Sequence, residues 1–297
     1  MRKRLKRLED YVRDNVYGNR STMEFLFLFL LVYALLDAII IVWFLASPVL
    51  AQTDNRLTFG LGMLAYNVGY LTSNCHQMPE RSIIFSDLEM PFCSRDTAIY
   101  IGCLIGALLP FYVPMPRFAK TLLFAASLMV PMAVDGVSQT IFDLRESSNP
   151  LRIVTGLLFG YGIAYYFAVR VVENSRFMDF GREARKVAVM GAIASILLLA
   201  LGYNEGGAYV TKGEAVEKSG MNPTFVTYVT KRALRTIHYD PYFESYNDPI
   251  LTAMYNYEYN GAGAWIIYEG PMEYEGKYAF FSGTGGKIRM VPDVSST

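Results

Sequence analysis

LTFGLGMLAYNVGYLTS, residues 57–73, is the stretch on which the whole topology turns. It is moderately apolar, but short, and it carries Gly60, Gly62, Gly69, Asn67 and several hydroxyls. If it crossed a bilayer, every later segment would face the opposite side. A spanning helix needs about 20 apolar residues, because it rises about 1.5 Å per residue. Its upstream neighbour MEFLFLFLLVYALLDAIIIVWFLASPVL (23–50) meets that length easily, despite Asp37, and is too long for a cleaved signal peptide. Further apolar runs fall at 98–113, 121–134 with their flanks, 153–172 and 187–203, in a chain of 297 residues that is 53% hydrophobic with mean hydropathy +0.23.

Charge decides between the two topologies. With Met1 inside and five spans, the inner segments hold thirteen Lys/Arg: seven before residue 23, then Arg117, Lys120, Arg176, Arg182, Arg185 and Lys186. The outer loops hold five, namely Arg56, Arg81, Arg95, Arg145 and Arg152. This bias follows the positive-inside rule for short loops. If 57–73 spanned, two basic loops would face outward. Residues 57–97 are therefore read as an outer segment, with 57–73 interfacial or re-entrant.

The resulting fold class is an all-α polytopic membrane bundle of about five transmembrane helices, N-terminus cytoplasmic, with a small α+β extracytoplasmic domain. Residues 1–22 read as a basic amphipathic segment on the cytoplasmic leaflet, or equally as a basic signal that orients the first span. Residues 23–203 form the transmembrane domain. Residues 204–297 hold half of the chain's 22 tyrosines. There AWIIYEG, KYAFFSG and KIRMVPD read as strands, and TFVTYVTKRALRTIHYD as an opening helix. The localisation expected is the cell membrane, multi-pass. Zero net charge offers nothing to nucleic acid.

This topology gathers the polar motifs at the outer face. NCHQMPERS (74–82) supplies Cys75, His76, Arg81 and Ser82; PFCSRDT (91–97) supplies Cys93, Arg95 and Asp96. DGVSQTIFDLRESSNPLR (135–152) supplies Asp135, Gln139, Arg145, Asn149 and Arg152. Ionisable groups within spans are costly and default to functional hypotheses. Asp135 is the candidate acid/base or proton site, with Gln139 four residues on and on the same helical face. Pairing with Arg95 or Arg152, or a turn at Asp135-Gly136, is the structural alternative.

The second and fourth spans start outside. Ser94 or Asp96 can cap one, and Asn149 before Pro150 can cap the other. Helix N-termini favour anions, and guanidinium groups suit phosphate or carboxylate. Arg81, Ser82, Arg95, Arg145, Asn149 and Arg152 are accordingly the candidate substrate-binding set for an anionic or lipid-linked molecule. The same two spans carry Gly102-x-x-x-Gly106 and Gly156-x-x-x-Gly160, which permit close helix approach. If they pack together, their outward N-termini adjoin.

For the cysteines two readings stay open. A Cys75–Cys93 disulfide outside the membrane would close a loop of about 19 residues, with roughly 3 kcal/mol of stabilisation. The rival is zinc on Cys75, His76 and Cys93, with His238 or Asp96 completing a tetrahedron, though the spacing is not that of a zinc finger or ribbon. Cys103 reads as a small apolar residue in the second span.

CHQMPERS, PFCSRDTAIYIG and DGVSQTIFDLRESSNPLRIVTGLLFGYG together resemble the signature blocks of an uncharacterised prokaryotic integral-membrane family, catalogued as a domain of unknown function. That family is recognised by Cys-His-Gln…Pro-x-Arg-Ser, Pro-x-Cys-x-Arg and Asp-Gly-x-x-Gln blocks. The resemblance covers roughly residues 60–172 and implies no reaction. Three functional classes follow: an enzyme or carrier for an anionic or lipid-linked substrate, a structural subunit docking membrane protein partners, and a metal-binding or redox protein.

Overall fold

The structure is a computed structural model that describes residues 19–73, 81–85, 88–114, 116–140, 147–175, 178–230, 263–271, 274–275, 280–281 and 286–292. The amphipathic reading of 1–18, Cys75, His76, Arg145 and His238 lie outside the described residues. The chain is mostly helical: α1 Arg20–Leu50, α2 Arg56–Ser73, α3 Ser94–Tyr112, α4 Leu122–Thr140, α5 Asn149–Asn174, α6 Phe180–Glu205 and α7 Lys212–Ser219. The strands are β1 Ser82–Phe85, β2 Leu88–Cys93, β3 Phe225–Thr230, β4 Gly263–Glu269, β5 Tyr274–Glu275, β6 Phe280–Phe281 and β7 Lys287–Pro292.

Among the described residues, four helices are long and apolar enough to cross a membrane: Arg20–Leu50, Leu122–Gln139, Asn149–Asn174 and Phe180–Glu205. Their surfaces agree. Val189, Met190, Ile193, Ile196, Leu197 and Leu201 of α6 are exposed, as are Leu123, Val130 and Val134 of α4. Apolar surface of that extent suits lipid rather than water. The fifth expected span, α3, is not among the four; it opens on Ser94-Arg95-Asp96.

Two compact units make up the chain, 1–41 with 95–195 and 42–94 with 196–297. In the first, α1, α3 and α5 share a core of Met23, Phe27, Leu30, Ala34, Ala107, Ala164, Ala168 and Val171. Phe27 meets Phe111 edge-on at 6.0 Å, and Tyr33 meets Cys103, so α1 and α3 run antiparallel. α3 and α5 run parallel, and their glycines set the contact. A Cβ on Gly160 would lie 2.1 Å from the Ile99 carbonyl oxygen, and one on Gly102 2.3 Å from that of Leu157. Gly156 faces the Arg95 carbonyl in the same way. The two small-residue motifs thus pack against each other, and the N-termini of α3 and α5 adjoin. α4 packs antiparallel on α5, with Gly162 against Ala125 and Tyr165 beside Ala119 and Phe124.

Gly160→Ala tests this contact. Alanine is the better helix former by about 1 kcal/mol, yet here its methyl meets backbone that cannot rotate away. We expect a net loss of about 1–3 kcal/mol, read as a lower thermal unfolding midpoint of the purified protein. Gly136→Ala, with nothing within 4 Å, should instead be neutral or stabilising. Equal effects would refute the tight contact.

The second unit is built on an antiparallel sheet of order β3-β4-β7, with Trp265 opposite Tyr228 and Val291. β4 is buried from Gly263 through Tyr268. The core on its Trp265 and Ile267 side is completed by Ala51, Phe59, Met63, Tyr66, Leu88, Val210 and Ala215. α2 thus contributes a whole face to the sheet's core. Burial pushes the Tyr66 hydroxyl well above the ordinary tyrosine range, so it stays protonated and donates to the Glu89 carbonyl at 2.6 Å. One expectation fails here. Residues 225–230, read as the start of a helix, form β3, because Phe225, Val226, Thr227, Tyr228, Val229 and Thr230 are all β-branched or aromatic.

Candidate functional site

α4 continues unbroken through Asp135-Gly136 to Thr140, so no turn occurs there and Gln139 lies one helical turn beyond Asp135. The Asp135 side chain is only 3% exposed. Its Oδ2 accepts from Arg95 Nη2 at 2.5 Å and from Ser147 Oγ at 2.9 Å. Arg95 is the second residue of α3, and Ser147 lies two residues before α5. Of the two partners that the sequence left open, the described pair is Arg95–Asp135. Ser147 was not anticipated; nothing in its spacing singles it out from its neighbour Ser148.

Arg152 is buried in the first turn of α5 and donates from Nη1 to Asn149 Oδ1 at 3.1 Å. That contact employs Asn149 in a role other than the expected cap. The N-cap is Ser148, with Asn149 the first helical residue, Pro150 following it, and no side-chain capping bond. Ser94, likewise, is already helical, and Asp96 lies in the first turn. In the same turn, Arg95 Nε and Thr97 Oγ1 are buried with no hydrogen-bond partner among the described residues. Buried polar groups are seldom left so, since each costs about 1–3 kcal/mol unpaired.

The side-chain charges of Arg95, Arg152, Asp96 and Asp135 cancel. The two adjoining helix ends add partial positive charge there, each equivalent to roughly half a charge.

The remaining candidates lie in the second unit. Ser82 is buried and pairs with Cys93 across the β1–β2 ladder, with Arg81 immediately before β1. Among the described residues no group of three His, Cys, Asp or Glu side chains could hold a metal ion. Cys75, the partner of Cys93 in both the disulfide and the zinc readings, and His76 of the zinc reading lie outside that set. The ionisable residue passed over in the sequence is Asp37, buried in α1. Its signal was present: one carboxylate inside a long apolar run.

Apolar helices with lipid-facing surfaces and a buried ionic site at paired helix ends define a multi-spanning α-helical membrane protein. A family model described as predicted membrane protein (DUF2085) matches residues 75–166. An uncharacterized protein of Methanothermobacter thermautotrophicus is 42% identical over 90 residues, 30% of this chain and 80% of its own length. An uncharacterized protein of Methanocaldococcus jannaschii is 39% identical over 121 residues, 39% of this chain and 74% of its own. The chain belongs to this DUF2085 family of membrane proteins. No solved structure matches it.

Proposed function

We propose that the protein binds an anionic, lipid-linked substrate at the adjoining N-termini of α3 and α5, as a carrier or enzyme of the membrane. The observation that carries this reading is that Arg95 Nε and Thr97 Oγ1, in the first turn of α3, are buried and have no hydrogen-bond partner among the described residues. Arg95, Asn149 and Arg152 would hold the anion, with Arg81, Ser82 and Arg145 the further binding candidates. Asp135, with Gln139 one turn on, is the acid/base candidate. Its bonds to Arg95 and Ser147 favour holding the guanidinium in place while no substrate is bound.

The topology belonging to this reading has five spans, N-terminus cytoplasmic and 204–297 extracytoplasmic. What supports α3 as the fifth span is its parallel packing on α5 and its antiparallel packing on α1. What supports a non-spanning α2 is the use of Phe59, Met63 and Tyr66 in the core of the sheet. In this topology Cys75 and Cys93 lie outside, and the disulfide is the reading we favour over zinc. Alkylation without reductant, read by intact mass, separates the two.

The test uses the full chain in nanodiscs or detergent. Phosphatidylglycerol should raise the unfolding midpoint more than phosphatidylcholine does, and the difference should shrink with salt. Inorganic phosphate distinguishes a free anion from a lipid-linked one. Arg95→Gln with Asp135→Asn removes both charges of the pair together, so that no buried ion is left without its counter-charge, and should abolish the preference. Equal midpoints in both lipids and no response to phosphate would refute the reading, leaving a structural subunit of a membrane complex.

A further inference from the structure

Asp37 is the eighteenth of the 31 residues of α1, about 25 Å along a helix rising about 1.5 Å per residue. That places it near the middle of an apolar span. It is 3% exposed, and neither carboxylate oxygen meets an aligned hydrogen-bond donor among the described residues. The polar groups around it are few and specific. The Tyr33 hydroxyl, one turn earlier on α1, interacts with both the Asp37 carboxylate and the Cys103 thiol. Tyr100, one turn before Cys103 on α3, lies within electrostatic reach of both Asp37 and Asp96. Asp96, Tyr100 and Cys103 stand at i, i+4 and i+7, on one face of α3. The other elements packed on α1 bring apolar groups: Ala164, Phe167, Ala168 and Val171 from α5, and Gly191 of α6 against Leu35. No Lys, Arg or His is among Asp37's interacting partners within the described residues.

A carboxylate at this depth with no cation among its described neighbours is best tolerated in its neutral form. We propose that Asp37, Tyr33, Tyr100 and Cys103 form an intramembrane proton-binding site, in which the Asp37 carboxyl is carried protonated and exchanges its proton along the Tyr100–Asp96 face of α3. In the unloading step Asp37 gives its proton to the Tyr100 oxygen as Tyr100 gives its own to the Asp96 carboxylate. Tyr100 ends neutral, and one negative charge moves from Asp96 to Asp37. Loading is the reverse. This inference is independent of the anion reading, because it concerns a different set of side chains and no added ligand.

Dicyclohexylcarbodiimide, an apolar reagent that adds to protonated carboxyls, supplies the test on the full chain in liposomes. The expected result is a mass adduct on Asp37 that declines as pH rises and is absent in Asp37→Asn, whose folding is checked by its unfolding midpoint. Infrared spectroscopy should show a protonated carboxyl band that Asp37→Asn removes. Hydrogen–deuterium exchange at that band should slow by about a hundredfold or more in Tyr100→Phe, the scale on which a proton-transferring side chain acts. No adduct at any pH, an adduct that persists in Asp37→Asn, or exchange unchanged by Tyr100→Phe would each overturn the proposal. The last outcome would leave Asp37 a packing residue.

Discussion

Replacing Arg95 by alanine should destabilise the protein by about 3 kcal/mol, the lower end of the 3–5 kcal/mol typical when one partner of a buried ion pair is removed. The lower end applies because the Arg95 side chain is 21% exposed and Asp135 3%. The loss comes chiefly from what remains: a buried carboxylate with Ser147 Oγ as its described donor. Arg95→Met with Asp135→Leu should therefore be far more stable than Arg95→Ala alone, since the buried carboxylate is removed together with its guanidinium. Denaturant unfolding of the four species of the corresponding double-mutant cycle measures the coupling. A cost below about 1 kcal/mol for Arg95→Ala would mean that the pair behaves as a solvated one.

Trp265→Ala should have the largest effect in the second unit, about 3–5 kcal/mol. Trp265 is fully buried, lies 5.2 Å from the ring of Tyr228 and 6.3 Å from that of Phe59, and donates from Nε1 to the Val210 carbonyl at 2.8 Å. The substitution removes the indole and leaves that carbonyl without its donor. Trp265→Phe separates the two contributions. It keeps an aromatic body between Phe59 and Tyr228, so its cost should fall to about 1–3 kcal/mol, mostly the unpaired carbonyl. Limited proteolysis of α2 gives a local readout: cleavage between Arg56 and Ser73 should accelerate in Trp265→Ala. Unchanged protection of α2 would show that its face does not depend on the indole.

What was legible in the sequence, and what was not, divides by distance along the chain. The apolar runs of α1, α4, α5 and α6 are local, and they mark the candidate spans directly. The glycines of α3 and α5 were legible as a possible contact, because small residues four apart leave a groove on one helix face. Asp135 stood out by its cost. Its partner did not, since Arg95 and Arg152 start neighbouring helices and only packing selects between them. Asn149 shows the same limit: a good capping residue has its side chain engaged by Arg152, and Ser148 takes the cap position. Residues 225–230 were misread because a short apolar run carries too few turns to separate a period of 3.6 from one of 2.

The seating of Phe59, Met63 and Tyr66 against Trp265 and Val291 has a consequence for biogenesis. The two sides of that core are made about 200 residues apart in time, with α3, α4, α5 and α6 synthesised between them. Until β4 and β7 emerge, the α2 face lacks Trp265, Ile267 and Val291 from its core, and contacts of such long sequence separation form slowly. A nascent chain stopped near residue 230 therefore leaves an early helix waiting for its final partners. Among the described segments, the last to be translated thus completes the core that one of the first begins.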